Sequence, residues 1–108
     1  MKRYGSVIGV RAEKLEEYKR LHADAWQEVL GMIKECNIRN YSIFYRDGLL
    51  FSYYEYIGED HSADMAKMAA DPKTREWWAV CGPCQKPLDT RGKGEWWAMA
   101  EEVFHYEG

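Results

Sequence analysis

Residues 39–56 read RNYSIFYRDGLLFSYYEY, and this stretch predicts a β-hairpin. Two strand-like runs rich in Ile, Phe and Tyr, residues 39–46 and 49–56, flank the dipeptide Asp47-Gly48. A two-residue link of this type favours a tight turn, because glycine tolerates the positive φ that such a turn requires. The hairpin supplies two neighbouring antiparallel strands, and the remaining elements are placed around them.

The residues before the hairpin predict one strand and one long helix. Residues 4–10 alternate weakly in polarity, which is typical of a strand. From Leu15 to Cys36, apolar side chains recur at steps of three and four residues. We therefore expect one continuous amphipathic helix over residues 12–36.

The residues after the hairpin predict two helices, a loop and a last strand. Residues 62–69 favour a short helix. Asp71-Pro72 starts the next helix, since Asp caps helix N-termini and Pro suits the first helical position, and Gly82-Pro83 ends it. Residues 85–94 are typical of a polar loop, and residues 97–106 are typical of a strand.

This order of elements, strand, helix, strand, strand, helix pair, strand, is the βαββαβ pattern of a ferredoxin-like fold. We expect residues 1–108 to form a single α+β domain, with a four-stranded antiparallel sheet and helices on one face. The other face needs a cover, and for so short a chain a homodimer is the simplest one.

Composition and charge exclude several classes of function. The formal charge is −3, and Lys and Arg are interspersed with Asp and Glu, so no basic stripe is available for nucleic acid or an anionic membrane. No apolar run approaches the roughly 20 residues of a membrane span, and the first residues lack the pattern of a secretory signal. The chain has three cysteines, an odd number that fits the reducing cytoplasm.

Aromatic side chains are more numerous than a core of this size needs. The chain has five Trp and eight Tyr. Rings with a polar tip suit a wet, shaped pocket, where they can stack on the C–H faces of a sugar. Packing in the core or at a subunit interface is the alternative interpretation.

His22 is the first candidate for chemistry. It lies on the apolar stripe of the first helix, with Tyr18 one turn before it and Trp26 one turn after it. An imidazole titrates near pH 6.5, at about the point where it can give and take protons in neutral solution. On spacing alone, the stronger interpretation is a core histidine held by a backbone carbonyl.

The run Cys81-Gly82-Pro83-Cys84 matches the redox motif of thioredoxins, but its context argues against redox chemistry. Cys81 follows a predicted helix, and at a helix C-terminus the dipole disfavours a thiolate. A zinc site would need two further ligands, and His61 and His105 are isolated in the sequence. We expect neither a redox site nor a zinc site.

Two tryptophan pairs and one tyrosine complete the set of candidates. Trp77 and Trp78 diverge by about 100° around a helix, so both cannot face the same way. Trp96 and Trp97 form the second pair. Tyr41, at the start of the second strand, can aim its hydroxyl into the cleft beside the first helix. For any single Trp, core packing is at least as common as a role in binding.

Four segments together resemble the L-rhamnose mutarotase family: residues 17–22 (EYKRLH) with Trp26 and Glu28, residues 40–43 (NYSI), Trp77-Trp78, and residues 102–105 (EVFH). They span nearly the whole chain in the right order. The sequence departs from the family at Gln27, where many members carry Pro. It also departs in the loop 83–94, which looks like that of a second subgroup and which we expect to border the pocket.

The resemblance implies a homodimeric ferredoxin-like fold that interconverts the α and β anomers of L-rhamnose without a metal or an organic cofactor. It implies that His22 is the acid/base residue. The implied sugar contacts are Tyr18, Tyr41, Trp77 and Trp78. Two further side chains are secondary candidates, Trp26 and His105, the latter as a second proton-transfer partner.

Three alternatives stay open on the sequence. The substrate can be another deoxy sugar such as L-fucose. The same architecture serves ferredoxin-like monooxygenases and haem-handling proteins, since a fold does not fix a function. A dimer that binds a ligand without catalysis, with His22 merely structural, is the third.

Overall fold

The predicted hairpin forms one side of an antiparallel sheet in the computed structural model, which describes residues 1–108. The strands are β1 (Lys2–Val10), β2 (Ile38–Arg46), β3 (Leu49–Tyr56), β4 (Gln85–Lys86) and β5 (Ala98–Ala100). They lie in the order β2-β3-β1-β4, and β5 pairs with another part of β1. This α+β arrangement confirms the predicted fold class.

Four helices accompany the sheet: α1 (Leu15–Ala23), α2 (Gln27–Glu35), α3 (His61–Ala70) and α4 (Pro72–Cys81). Short 3-10 helices span Ala12–Lys14 and Gly82–Cys84. No helix of the protein has the length and apolar character needed to cross a bilayer.

The main core lies between the sheet and the helices. It comprises Ile8, Val10, Tyr18, Val29, Leu50, Trp77, Cys81 and Cys84. Ile8 and Leu50 are partners across β1 and β3 and are almost fully buried. Burial of an aliphatic side chain of this size contributes about 1.5–3 kcal/mol, so this row of the sheet anchors the helical layer.

The turn between β2 and β3 has the predicted chemistry. Asp47 and Gly48 have φ values of 50° and 80°, which is the left-handed region that a tight two-residue hairpin needs at both positions. The start of α4 is also as predicted, because the Asp71 side chain accepts a hydrogen bond from the Thr74 backbone at 2.9 Å.

The long helix predicted over residues 12–36 is wrong, since the chain breaks between α1 and α2. Asp24 closes α1 with a hydrogen bond to the Leu21 carbonyl, and Trp26 has extended backbone angles of −65° and 134° before α2 begins. No Gly or Pro marks this break. Tertiary packing imposes it, because the Trp26 ring then packs edge-on against Trp77.

The last strand is much shorter than the predicted residues 97–106. β5 pairs only with Gly5–Val7 of β1, because β4 occupies the Gly9–Val10 part of the same edge. Beyond β5 the chain is tied to β1 by the side chains of Arg3 and Glu102, whose Nε and Oε2 atoms lie 2.8 Å apart. The rest of the tail is exposed.

A β-bulge interrupts β2 near its start. The register with β3 shifts between Arg39 and Ser42, so that Asn40 and Tyr41 together face Tyr54. Asn40 adopts φ 51° and its amide donates to the Glu55 carboxylate at 2.6 Å. The extra residue changes the alternation of the strand, which places both Tyr41 and the later Ile43 on the helix-covered face.

Candidate active site

A cavity of about 310 Å³ lies between α1 and the β2–β3 hairpin. α1 contributes Tyr18 and His22 to its wall, and the strands contribute the aliphatic side chains of Ile43 and Leu50. An imidazole and a phenol therefore border a largely apolar cleft. A few polar groups on apolar walls are the usual setting of a small-molecule site.

The imidazole of His22 is held in one tautomer. Its Nδ1 atom donates to the backbone oxygen of Tyr18 at 2.9 Å, because a carbonyl oxygen can only accept. Nε2 is then the unprotonated nitrogen of the neutral ring. Burial lowers the pKa of His22, and the bond to Tyr18 only partly opposes that shift. The ring is therefore a neutral base at pH 7.

Aromatic neighbours fix the plane of that imidazole. Tyr18 stacks on it with centroids 4.1 Å apart, and Trp77 meets it edge-on at 5.1 Å. Trp26 packs edge-on against Trp77 at 5.2 Å, and Trp77 is only 7 % exposed. Four of the residues singled out in the sequence, Tyr18, His22, Trp26 and Trp77, thus form one contiguous cluster.

Tyr41 lies on the same face of the sheet but is not part of the cavity wall beside His22. Its ring meets Tyr54 edge-on at 5.6 Å. The side chain is 42 % exposed as a whole, yet its hydroxyl end is deep enough that burial raises the pKa to about 12, with a smaller effect from the Cys81 thiol.

Two of the residues singled out in the sequence lie elsewhere. Trp78 is 47 % exposed and takes no part in the cluster around Trp77. His105 belongs to the C-terminal tail and lines a second cavity with Arg3 and Tyr53, on the opposite face of the sheet. Within one chain, His105 is not placed to share a proton transfer with His22.

Gln85 joins the site although the sequence predicted only a polar loop there. It forms β4 with Lys86 and is 7 % exposed. Its amide nitrogen lies 3.4 Å from the Tyr18 hydroxyl, and its amide oxygen accepts from the Trp96 indole at 2.7 Å. No local pattern marks a glutamine for this role, because Tyr18 is 67 positions away in the chain.

The two cysteines of the CGPC run are buried and disfavour the thiolate. Cys81 is the last residue of α4, as expected from the sequence, and burial raises its pKa to about 12. Burial and a hydrogen bond to the Glu17 carboxylate raise the pKa of Cys84. This environment is the opposite of a reactive thiol site. No three His, Cys, Asp or Glu side chains converge as a metal-ligand set.

Comparison with known proteins assigns the chain to a family. The family model described as L-rhamnose mutarotase matches residues 3–106. The L-rhamnose mutarotase of Bacillus subtilis is 36 % identical over 88 residues, which cover 80 % of this chain and 82 % of that protein. The L-fucose mutarotase of Xanthomonas campestris is 31 % identical over 97 residues, which cover 86 % and 77 % of the two chains.

Solved structures show the same fold at lower identity. The crystal structure of an L-rhamnose mutarotase from Formosa agariphila superposes with a TM-score of 0.77 at 20 % identity, covering 99 % of this chain and 100 % of the other. The tetracenomycin F2 cyclase of Streptomyces glaucescens gives 0.76 at 15 % identity, covering 100 % and 99 %. The fold alone thus serves different chemistries. With the sequence relationship and the geometry around His22 together, the chain belongs to the L-rhamnose mutarotase family.

Proposed function

We propose that this protein is a mutarotase that interconverts the α and β anomers of L-rhamnose. The observation that carries the proposal is the neutral imidazole of His22, whose Nδ1 is occupied by the Tyr18 carbonyl and whose ring borders the apolar cavity. The match of the family model over residues 3–106 supports the same reaction. The three free thiols fit work in the cytoplasm, where they stay reduced.

The reaction needs only proton transfers and positioning. A base takes the proton of the anomeric hydroxyl while an acid protonates the ring oxygen, and the ring opens to the aldehyde. Rotation about C1–C2 and reclosure on the other carbonyl face give the other anomer. His22 is the base in this scheme, with Nε2 as the accepting atom. A positioned group of this kind contributes roughly 10² to 10⁴-fold.

The walls of the cavity suit a deoxy sugar. Leu15, Ile43 and Leu50 form an apolar surface against which the 6-methyl group can lie without loss of hydrogen bonds. Tyr18 and Tyr41 supply hydroxyls on the helix-covered face. Trp77 and Trp78 stay proposed sugar contacts on the family resemblance. For Trp77, such a contact would need access past the ring of His22, which it meets edge-on.

L-fucose is the second candidate substrate, because the relative from Xanthomonas campestris is named L-fucose mutarotase. Saturation-transfer NMR between anomeric protons, at equilibrium and with catalytic amounts of protein, compares L-rhamnose, L-fucose and D-glucose directly. We expect L-rhamnose to exchange fastest. Acceleration of L-fucose alone would reassign the substrate, and no acceleration of either deoxy sugar would overturn the proposed function.

A homodimer is the second part of the proposal. Val7, Phe51 and Phe44 are neighbours in register across β1, β3 and β2, on the face that no helix covers. Phe44 is 64 % exposed, and a continuous apolar row of this kind is unusual on a monomer. A second copy of the chain, related by a two-fold axis, covers it with an identical row.

Light scattering after size exclusion tests the dimer. We expect wild-type protein at twice the chain mass, and Phe44→Glu to shift it toward the monomer, since a carboxylate would be buried against the apolar row of the second copy. Lys93→Glu, at an exposed position in the loop after β4, is the matched control and should leave the mass unchanged. A wild-type monomer at micromolar concentration would contradict the proposal.

A further inference from the structure

A short chain of hydrogen bonds leads from the surface to the candidate site. The indole nitrogen of Trp96 lies 2.7 Å from the Oε1 atom of Gln85, and the Nε2 atom of Gln85 lies 3.4 Å from the hydroxyl of Tyr18. Gln85 is buried, and its backbone is held in β4 against Val10. Tyr18 in turn stacks on His22.

Trp96 sets the direction of every bond in this chain. An indole N–H can only donate, so the Gln85 oxygen must face it. The Gln85 amide then turns its N–H groups toward Tyr18, and the Tyr18 oxygen accepts. The hydroxyl proton of Tyr18 is consequently left free, and no protein group accepts it. A phenol held in this way keeps its proton available for donation, and Tyr18 is part of the cavity wall.

We propose that Gln85 and Trp96 are positioning residues that make Tyr18 the proton donor to the sugar ring oxygen, while His22 takes the proton of the anomeric hydroxyl. The inference rests on the proposed mutarotase function and names the acid which that scheme left open. It is carried by geometry. Tyr18 and His22 border one cavity, with their rings 4.1 Å apart. Tyr18 is the proton donor of the pair and His22 is the acceptor.

The step balances without any further reagent. The bond between C1 and the ring oxygen breaks, and its electron pair stays on that oxygen, which takes the Tyr18 proton. The anomeric O–H bond gives its proton to Nε2 of His22, and its electron pair forms the aldehyde carbonyl. Reclosure on the other face returns both protons. The phenolate formed in between accepts from the Gln85 amide, which opposes the effect of burial on the Tyr18 pKa.

Gln85→Glu is the sharpest test, because it reverses the direction of the chain. The carboxylate introduced at position 85 can only accept, so it captures the Tyr18 proton and withdraws it from the sugar. Once protonated, the same group can donate to Tyr18 and restore the original direction. Gln85→Leu is the matched control, which removes the amide at every pH. Trp96→Phe, at a half-exposed position, removes the indole N–H donor, so that the Gln85 amide is no longer held in one orientation although Gln85 itself is unchanged.

The readout is kcat for anomer exchange relative to wild type at each pH. A carboxylate near His22 would raise the imidazole pKa and lower this ratio in acid, which is opposite to the rise expected here. We expect the Gln85→Glu ratio to rise by about tenfold or more from about pH 8 to about pH 5, since buried carboxyls titrate above their ordinary value. The Gln85→Leu ratio should be low and flat. Trp96→Phe should lower kcat with KM within about twofold of wild type.

A Gln85→Glu ratio that does not change with pH in folded protein would overturn this inference, and so would an unchanged kcat in Trp96→Phe. The proposed function would still stand in either case, provided that the wild-type protein is active. If Gln85→Glu fails to fold, the kcat of Trp96→Phe decides the matter. Wild-type protein that accelerates neither L-rhamnose nor L-fucose exchange would overturn the proposed function and this inference together.

Discussion

The Nε2 atom of His61 lies 2.6 Å from the hydroxyl of Tyr54, so this imidazole has its outer nitrogen occupied within the chain. His22 has the reverse arrangement, since its Nδ1 is held by the Tyr18 carbonyl and its Nε2 is free. Burial lowers the pKa of both rings. The two half-buried histidines therefore differ in which nitrogen is available, and His61 serves as an internal control for His22.

The pH dependence of exchange follows from the lowered pKa of His22. The active form is the neutral ring, so the rate should be constant near neutrality and fall, by about tenfold per pH unit, below a midpoint under 6.5. The free energy of unfolding should also fall in acid. As the pH is lowered, the imidazole of the unfolded chain binds its proton before that of the folded chain does, which favours the unfolded state.

Exchange rates measured across the acidic range check this expectation. His61→Phe, which keeps an aromatic ring against Tyr4, should retain the acidic limb. A wild-type limb with a midpoint above 6.5, or one that disappears in His61→Phe, would contradict the assignment to His22.

The bulge in β2 predicts different effects for two substitutions at Asn40. Valine is strained at φ 51°, whereas glycine is not, so Asn40→Val should be about 1–2 kcal/mol less stable than Asn40→Gly. Urea unfolding of both variants measures the difference. We also expect weaker sugar binding in Asn40→Val, since the bulge directs Tyr41. Equal stability of the two variants would show that the left-handed position is not required.

The break between α1 and α2 predicts that proline is accepted at Gln27. This residue is the first of α2, where an N–H is not needed, and Trp26 already has the extended backbone that precedes proline. Gln27→Pro should stabilise the protein by about 0.4–1 kcal/mol.

Leu30→Pro is the matched control in the same helix. It removes the hydrogen bond from the Leu30 N–H to the Trp26 carbonyl, 3.0 Å long, and should cost about 3 kcal/mol or more. Thermal unfolding of both variants gives the comparison. A loss of stability in Gln27→Pro comparable to that in Leu30→Pro would mean that α1 and α2 are one continuous helix in solution.

Features set by local chemistry could be predicted from the sequence. The Asp47-Gly48 turn needs only the backbone freedom of its own residues, and the cap of α4 joins Asp71 to Thr74, three positions away. The stacking of Tyr18 on His22 follows from a spacing of four on one helix.

Features set by contacts between residues distant in the chain could not be predicted from the sequence. The helix break at Trp26 depends on Trp77, and the short β5 depends on how β4 shares the edge of β1. Gln85 has no distinguishing pattern of its own, because its role comes from Tyr18 and Trp96 meeting it in space. The site role of Tyr41 stays a prediction.

The buried thiols predict slow chemistry at the CGPC run. With the Cys81 pKa raised to about 12, iodoacetamide should label native protein at least about a hundredfold more slowly than unfolded protein, since labelling then requires local opening. Mass spectrometry of the time course measures the rates. Cys81→Ala and Cys84→Ala should keep anomer exchange within about threefold of wild type, as truncation of small buried side chains affects mainly stability. Loss of exchange in a folded variant would return the cysteines to the mechanism.

Anomer exchange of L-rhamnose by wild-type protein and by His22→Ala, followed by saturation-transfer NMR, tests the central claim most directly. We predict that wild-type protein accelerates the exchange and that His22→Ala slows it by at least about tenfold, with an unchanged circular dichroism spectrum. Wild-type exchange rates in a folded His22→Ala variant would contradict the account.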